Sequence, residues 1–184
     1  MLDLIQNIDW TVLHWIRDTL HCGVMDFIMP KITLLGDVGA VWVILAIVLL
    51  ISKKYRKYGL ALLGALIVGV LVGNVCLKQL IARPRPCWLE DVTLLISNPT
   101  DFSFPSGHTL ASVIGAYVLT AANRKFGLFA IPLAVLISFS RLYLYVHFPS
   151  DVLASVVIGV GIGCAAVWLC RKIPDNKLLI KNQL

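Results

Sequence analysis

Three short segments of this chain hold residues suited to handling phosphate. The first reads Lys78-Gln-Leu-Ile-Ala-Arg83-Pro-Arg85-Pro86, and the second Phe104-Pro105-Ser106-Gly107-His108. The third begins Ser140-Arg141, reaches His147 after five residues and Asp151 after three more. Phosphoryl transfer requires cations around the nonbridging oxygens, a nucleophile, a group that orients it, and an acid for the leaving oxygen. Each part has a candidate. Lys78, Arg85 and Arg141 can neutralise oxygens, the planar guanidinium in bidentate fashion. Ser106 reads as a helix N-cap, and the free N–H groups of Gly107 and His108 beyond it form an anion site that the helix dipole reinforces. If Pro149 opens the last helix, Asp151 can hold one ring nitrogen of His147 while the other attacks phosphorus, and His108 can protonate the departing oxygen.

Taken singly, these features have plainer readings. An arginine at a membrane edge snorkels, Ser-Gly-His caps helices, and an acid in a first turn suits the helix dipole. Arg83 reads as a phosphate-surface or headgroup contact, Asp37 and Asn74 as helix-packing or end groups, and His14 and His21 as interfacial polar residues. The force of the pattern is its conjunction: three segments, in order, with complementary roles.

The elements that must position these residues are membrane helices. The chain has 184 residues, 59% hydrophobic and 14% charged, with mean hydropathy +0.86, an apolar fraction beyond that of soluble domains. Its net charge of +6 sits at the ends of apolar runs and forms no basic stripe interleaved with aromatics, which argues against nucleic acid as a partner. Five runs predict spans: Val38 to Ser52, Tyr58 to Leu77, Gly107 to Ala122, Phe126 to Ser140 and Val152 to Cys170. Gly23 to Leu35 is shorter and holds Asp26, Pro30 and Lys31, and it stands as the sixth. Upstream, Ile8 to Asp18 mixes apolar and charged residues as an amphipathic interfacial helix does. The start lacks the basic n-region of a cleaved signal, so it is expected to remain in the protein.

Loop charge sets the expected orientation. Lys53, Lys54, Arg56 and Lys57, then Arg124 and Lys125, then Arg171, Lys172, Lys177 and Lys181 fall on one side, taken as cytoplasmic. Six spans put both termini there. Gly36–Asp37, the 82–105 connection and the 145–150 turn then face out, and Lys78, Arg83, Arg85 and Arg141 become basic exceptions at the outer end. No repeat or linker divides the chain, so the expectation is a single membrane-embedded domain, 1–184, all-α, with about six transmembrane helices. Five cysteines without C-x-x-C or zinc spacing read as small hydrophobes, not a disulfide framework. Trp88, Leu89, Leu94, Leu95 and Ile96 in the long connection are candidates to dip into the outer leaflet.

The three segments resemble the signature of the type 2 phosphatidic acid phosphatase superfamily: K-x6-R-P, P-S-G-H and S-R-x5-H-x3-D. Lys78, Arg85 and Pro86, then Pro105 to His108, then Ser140, Arg141, His147 and Asp151 match without a departure, so the motif core runs from 78 to 151. The resemblance implies a phosphohistidine on His147, with Asp151 as its orienter and His108 assisting the leaving group. It implies phosphate held by Lys78, Arg85, Ser106, Gly107 and Arg141, with no metal and no cofactor. It implies a lipid phosphate or pyrophosphate as substrate, undecaprenyl pyrophosphate ahead of phosphatidylglycerophosphate and phosphatidate. Two other classes remain open from the residues: a vanadate-holding halide oxidase, against which the apolar spans argue, and a non-enzymatic phospholipid binder, which leaves His147 and Asp151 without a use.

Overall fold

The computed structural model describes residues 2–172, and helices dominate them. The order is α1 (Leu2–Leu20), α2 (Gly23–Gly36), a 3-10 turn (Asp37–Gly39), α3 (Ala40–Ile51), α4 (Arg56–Gly69), a π-helical stretch (Val70–Leu77), the short α5 (Lys78–Ile81) and α6 (Pro86–Leu89), α7 (Gly107–Ala122), α8 (Arg124–Tyr143) and α9 (Pro149–Lys172). Among the described residues, four apolar helical stretches are long enough to cross a membrane: Gly23–Ile51, Arg56–Leu89, Arg124–Tyr143 and Pro149–Lys172. The shorter apolar α7 runs among them.

The expectation is about six transmembrane helices; the described residues give these four stretches and the shorter α7. Gly23–Leu35 and Val38–Ser52 are two halves of one 29-residue stretch, bent at Asp37–Gly39. Contacts step steadily along it: Tyr143 bonds Asp26, Arg141 bonds Thr33, Gly36 abuts His108 and Ile137, Gly39 abuts Ala111, and Trp42 bonds Ser112 and covers Gly115. A hairpin would have reversed that order. At 14 residues, α2 rises only about 21 Å, short of a hydrocarbon core of about 30 Å. The Gly36–Asp37 segment is consequently a bend at mid-rod, not an outer connection.

The packing follows from small residues. Trp42 lies on Gly115, while Gly159 and Gly163 of α9 let Val113 and Tyr117 of α7 come within contact distance. Small residues one turn apart permit such close helix approach in a membrane. Around α7 the core gathers Trp42, Leu62, Leu110, Ile114, Val118, Leu119 and Ile137. Outward-facing Ile44, Val68, Leu128, Phe129, Leu153 and Val157 remain exposed, as lipid-facing side chains must.

The amphipathic reading of α1 holds, with an addition. Asp9, Leu13 and Ile16 share one buried face at i, i+4, i+7 spacing, while Leu4, Ile5, Ile8 and Trp15 stay exposed. The buried face packs onto Tyr145 and Phe148, the turn between α8 and α9. Both termini were expected at the end opposite the motifs. In the structure α1 packs at the motif end, through Asp9 on Arg83 and Leu13 on Tyr145 and Phe148, whereas α9 runs from that end to Lys172 at the other. The basic clusters at 53–57, 124–125 and 171–172 all sit at the end away from the motifs, as Asn123 bonding the Tyr55 hydroxyl illustrates. The cysteines among the described residues are all free thiols. Lys177 and Lys181 lie outside the described residues.

Candidate active site

At the motif end the helices diverge around a cavity of about 670 Å3. Lys78 and Arg85 reach it from α5 and the bend before α6, Gly107 and His108 from the start of α7, Arg141 from the last turn of α8, and His147 from the turn that follows. Asp151 and Ser106, both fully buried, stand immediately behind. Toward the bilayer the wall turns apolar, with Val43, Leu66, Val70, Leu110 and Ile114. The π-helical stretch before Lys78 carries Asn74, whose amide faces Gly107; a Cβ there would lie 3.0 Å from Asn74 Oδ1. π-Bulges recur at functional sites because the extra residue re-aims those that follow.

His147 is enclosed and its two nitrogens differ. Nδ1 faces Ser103 Oγ at 3.4 Å and Asp151 Oδ2 at 3.8 Å, while Nε2 lies 3.2 Å from Nη1 of Arg85. Arginine only donates, so Nε2 must present its lone pair, and Nδ1 carries the proton toward Asp151. Burial pushes the imidazole well below its usual range. Asp151 opposes that shift, and the charges of Arg85 and Arg141 add to it. The ring is thus neutral at ordinary pH, with the Nε2 lone pair available. Asp151 itself is held on every side: Ser103 donates to Oδ2 at 2.5 Å, the Phe148 N–H to the same oxygen at 2.9 Å, and Arg83 to Oδ1 at 2.6 Å.

The cations form a cradle. Arg85 donates Nε and Nη2 to Asp101 and Nη1 to the Val146 carbonyl, fixing its plane. Arg141 donates to Thr33, and its Nε is buried without a partner among the described residues. A buried guanidinium N–H left unpaired, on a residue that lines the cavity, is a candidate anion donor. Ser106 caps α7, accepting from the Thr109 N–H and hydroxyl, so its own side chain serves the helix start. The cap leaves the first-turn N–H groups of Gly107 and His108 without intrahelical partners. Asp101 bridges Lys78 and Arg85 from the 90–105 connection. Burial alone would raise its carboxyl. The hydrogen bond from Lys78 and the charge of Arg85 outweigh that and hold it at about 2.

A family model, the PAP2 superfamily, matches residues 57–175. The chain belongs to that superfamily. Over 140 residues it is 36% identical to an undecaprenyl-diphosphatase of Sulfolobus acidocaldarius, covering 75% of this chain and 68% of that one. Over 145 residues it is 35% identical to an undecaprenyl-diphosphatase of Bacillus subtilis, covering 78% and 74%. It also resembles the crystal structure of a transmembrane PAP2-type phosphatidylglycerolphosphate phosphatase from Bacillus subtilis, with TM-score 0.77 and 27% identity, covering 93% of this chain and 88% of that one. The protein is a multi-pass membrane phosphatase of the PAP2 kind, acting on lipid phosphates.

Around the PAP2 motifs the structure adds residues that the sequence did not single out for chemistry. Arg83 is no headgroup contact: it binds Asp151, Ser150, Gln6 and Asp9 and lies over the Phe148 ring. Asp9, only 2% exposed, also accepts from the Ser150 N–H and hydroxyl, so α1 is tied to the third motif. Ser103 and Asp101 enter from the long connection, where spacing gives no signal. Asp37, read as an end group, pairs with His108 at 2.8 Å. His14 and His21 are peripheral, bonded to Glu90 and the Tyr143 carbonyl. Of the five apolar residues at 88–96, Trp88, Leu89 and Leu95 are exposed, while Leu94 and Ile96 pack inward.

Proposed function

We propose that this protein hydrolyses a polyprenyl pyrophosphate of the undecaprenyl type, at the extracytoplasmic face, through a phosphohistidine on His147, and that 1–184 works as one domain. The observation that carries the chemistry is the pairing of a lone-pair-bearing His147 Nε2 with Arg85 at 3.2 Å, inside a cradle completed by Lys78 and Arg141. Nε2 attacks phosphorus, the guanidinium and ammonium groups take up charge on the nonbridging oxygens, and His108 supplies the leaving oxygen with a proton. Asp151 stabilises the ring as positive charge develops on it. The first-turn N–H groups at Gly107 and His108 add dipoles aimed at the same anion.

The tail is accommodated where the cavity wall becomes apolar. Val43, Leu66, Val70 and Ile114 lie between the bent α2–α3 rod and α4, below the cationic end, so a headgroup can be held there while its chain leaves toward lipid. The outward assignment rests on the basic clusters at the other end. Two relatives named undecaprenyl-diphosphatase favour the pyrophosphate. The second reading, phosphatidylglycerophosphate, is favoured by the activity for which the structural relative is named.

A substrate panel on detergent-purified protein, with chelator present, separates these. Release of phosphate from undecaprenyl pyrophosphate at a kcat/KM at least tenfold above that for phosphatidylglycerophosphate is expected, with His147→Ala inactive and a phosphorylated histidine trapped in the parent enzyme. A preference for the phospholipid would move the assignment to the second reading. Strict dependence on added magnesium would sink the metal-free mechanism.

A further inference from the structure

His108 is hydrogen-bonded by a carboxylate that no motif contains. Its Nε2 lies 2.8 Å from Oδ1 of Asp37. A carboxylate only accepts, so Nε2 carries a proton toward it. The same edge of the ring rests on α2: a Cβ on Gly36 would stand 2.7 Å from His108 Cδ2. With the Cδ2–Nε2 edge against Gly36 and Asp37, the opposite nitrogen, Nδ1, is turned away from them.

Asp37 reaches this place because the rod bends there. Val38 has φ +53° and Gly39 φ +69°, so two successive residues adopt the left-handed region within an otherwise apolar helix. For a β-branched residue this conformation costs on the order of 1–3 kcal/mol, and such strain persists where surrounding structure enforces it. The Val38 side chain is fully exposed and contributes no packing that would explain the bend. What the bend does accomplish is to set a carboxylate beside the motif histidine. The positive charges of Arg141 and Lys78 also face that imidazole, and the Asp37 carboxylate opposes them in part.

We propose that Asp37 is the positioning residue of the leaving-group acid: it anchors His108 Nε2–H, so that Nδ1–H is presented to the leaving oxygen. This rests on the phosphohistidine reading above. As His147 Nε2 bonds to phosphorus, the bond from phosphorus to the leaving oxygen breaks, and that oxygen takes the proton from His108 Nδ1 while Nε2–H stays on Asp37. In the second half, water bonds to phosphorus, returns one proton to Nδ1, and the phosphorus–nitrogen bond breaks to restore the His147 lone pair. The site then contains two carboxylate–imidazole pairs, Asp151 with His147 for attack and Asp37 with His108 for departure.

The test compares Asp37→Asn with the parent on two substrates in detergent. Phosphatidate has an alkoxide leaving group that needs a proton, whereas p-nitrophenyl phosphate leaves as a stable phenolate. Asp37→Asn should lower the pre-steady-state rate of leaving-group release from phosphatidate about 100-fold, within the range of general-acid contributions, and leave the p-nitrophenolate burst rate within about threefold, since the hydrolysis half that follows is common to both. Asp37→Glu should recover most of the phosphatidate burst rate. Equal losses in the two burst rates, or no loss in either, overturn the proposal. Inhibition by inorganic phosphate reports whether the cradle is intact; if neither Asp37→Asn nor Asp37→Ser gives folded protein, Asp37 belongs to the fold and the proposal is likewise overturned. A His147→Ala enzyme that still turns over would instead remove the phosphohistidine reading on which this one stands.

Discussion

As the proposed nucleophile, His147 can attack only while its Nε2 is unprotonated, so the acid limb of kcat/KM should report its ionisation. Burial, outweighing Asp151, moves that ionisation below the ordinary histidine value of about 6.5. Activity should therefore persist as pH falls through 6.5 and be lost only well below it. A midpoint at or above 6.5 in the pH profile would contradict the enclosed, neutral ring. The same shift has a stability sign: between the two ionisations the unfolded chain binds a proton that the folded chain excludes, so acidification through 6.5 destabilises the fold. Ser103 belongs to this scale too. Its 2.5 Å bond to Asp151 is charge-assisted, and such bonds contribute about 1.5–3 kcal/mol. Ser103→Ala should lower kcat about 10-fold or more with KM nearly unchanged, as steady-state kinetics would show. Sequence made His147 and Asp151 legible because their spacing around a helix start has a geometric meaning. Ser103 was illegible, since a loop serine reaches its partner through tertiary folding alone.

At the scale of elements, the 90–105 connection and the bend in the α2–α3 rod do the most to shape the site. The connection lays Asp101 across Lys78 and Arg85, so a carboxylate sits on the cations proposed to take phosphate. With its carboxyl held at about 2, Asp101 stays charged throughout the working pH range. A phosphate must compete with it. Asp101→Asn removes the competing charge while keeping the shape, and the inhibition constant of inorganic phosphate should fall several-fold; an unchanged or higher constant would show that Asp101 helps hold the anion. The bend makes a separate prediction. Gly36→Ala would place a Cβ 2.7 Å from His108 Cδ2 and 2.8 Å from Ile137 Cγ2, so the imidazole must shift. Turnover should drop at least tenfold with thermal stability in detergent little altered. Periodicity read α2 and α3 as two spans because Asp37 and the glycines interrupt the apolar run. Hydropathy marks an interruption but does not distinguish a reversal from a bend, which here depends on Gly36 and Gly39 fitting against α7.

For the whole molecule, the joined rod fixes how the two chain ends relate. On a proposed path of five crossings, the four long stretches and α7, α1 lies on the motif end, and its Asp9–Arg83–Asp151 chain of charges ties it to the third motif. Removing one partner of a buried ion pair costs on the order of 3–5 kcal/mol. Asp9→Asn should accordingly lower both the unfolding midpoint in detergent and kcat, although Asp9 touches no cavity residue. The basic clusters, eight lysines and arginines at 53–57, 124–125 and 171–172, remain together at the opposite end, which the positive-inside rule favours for the cytoplasm. The proposed orientation turns the motif end out, and α1 with it. Reporter fusions decide the matter: a fusion before α1 should be extracytoplasmic and one after Lys172 cytoplasmic. A cysteine placed at Lys53 should resist a membrane-impermeant thiol reagent in intact cells, while the exposed Cys22, just after α1, should react. Both fusions reporting the same side would refute the five-crossing architecture, and both reversed would keep the architecture while turning the active site inward.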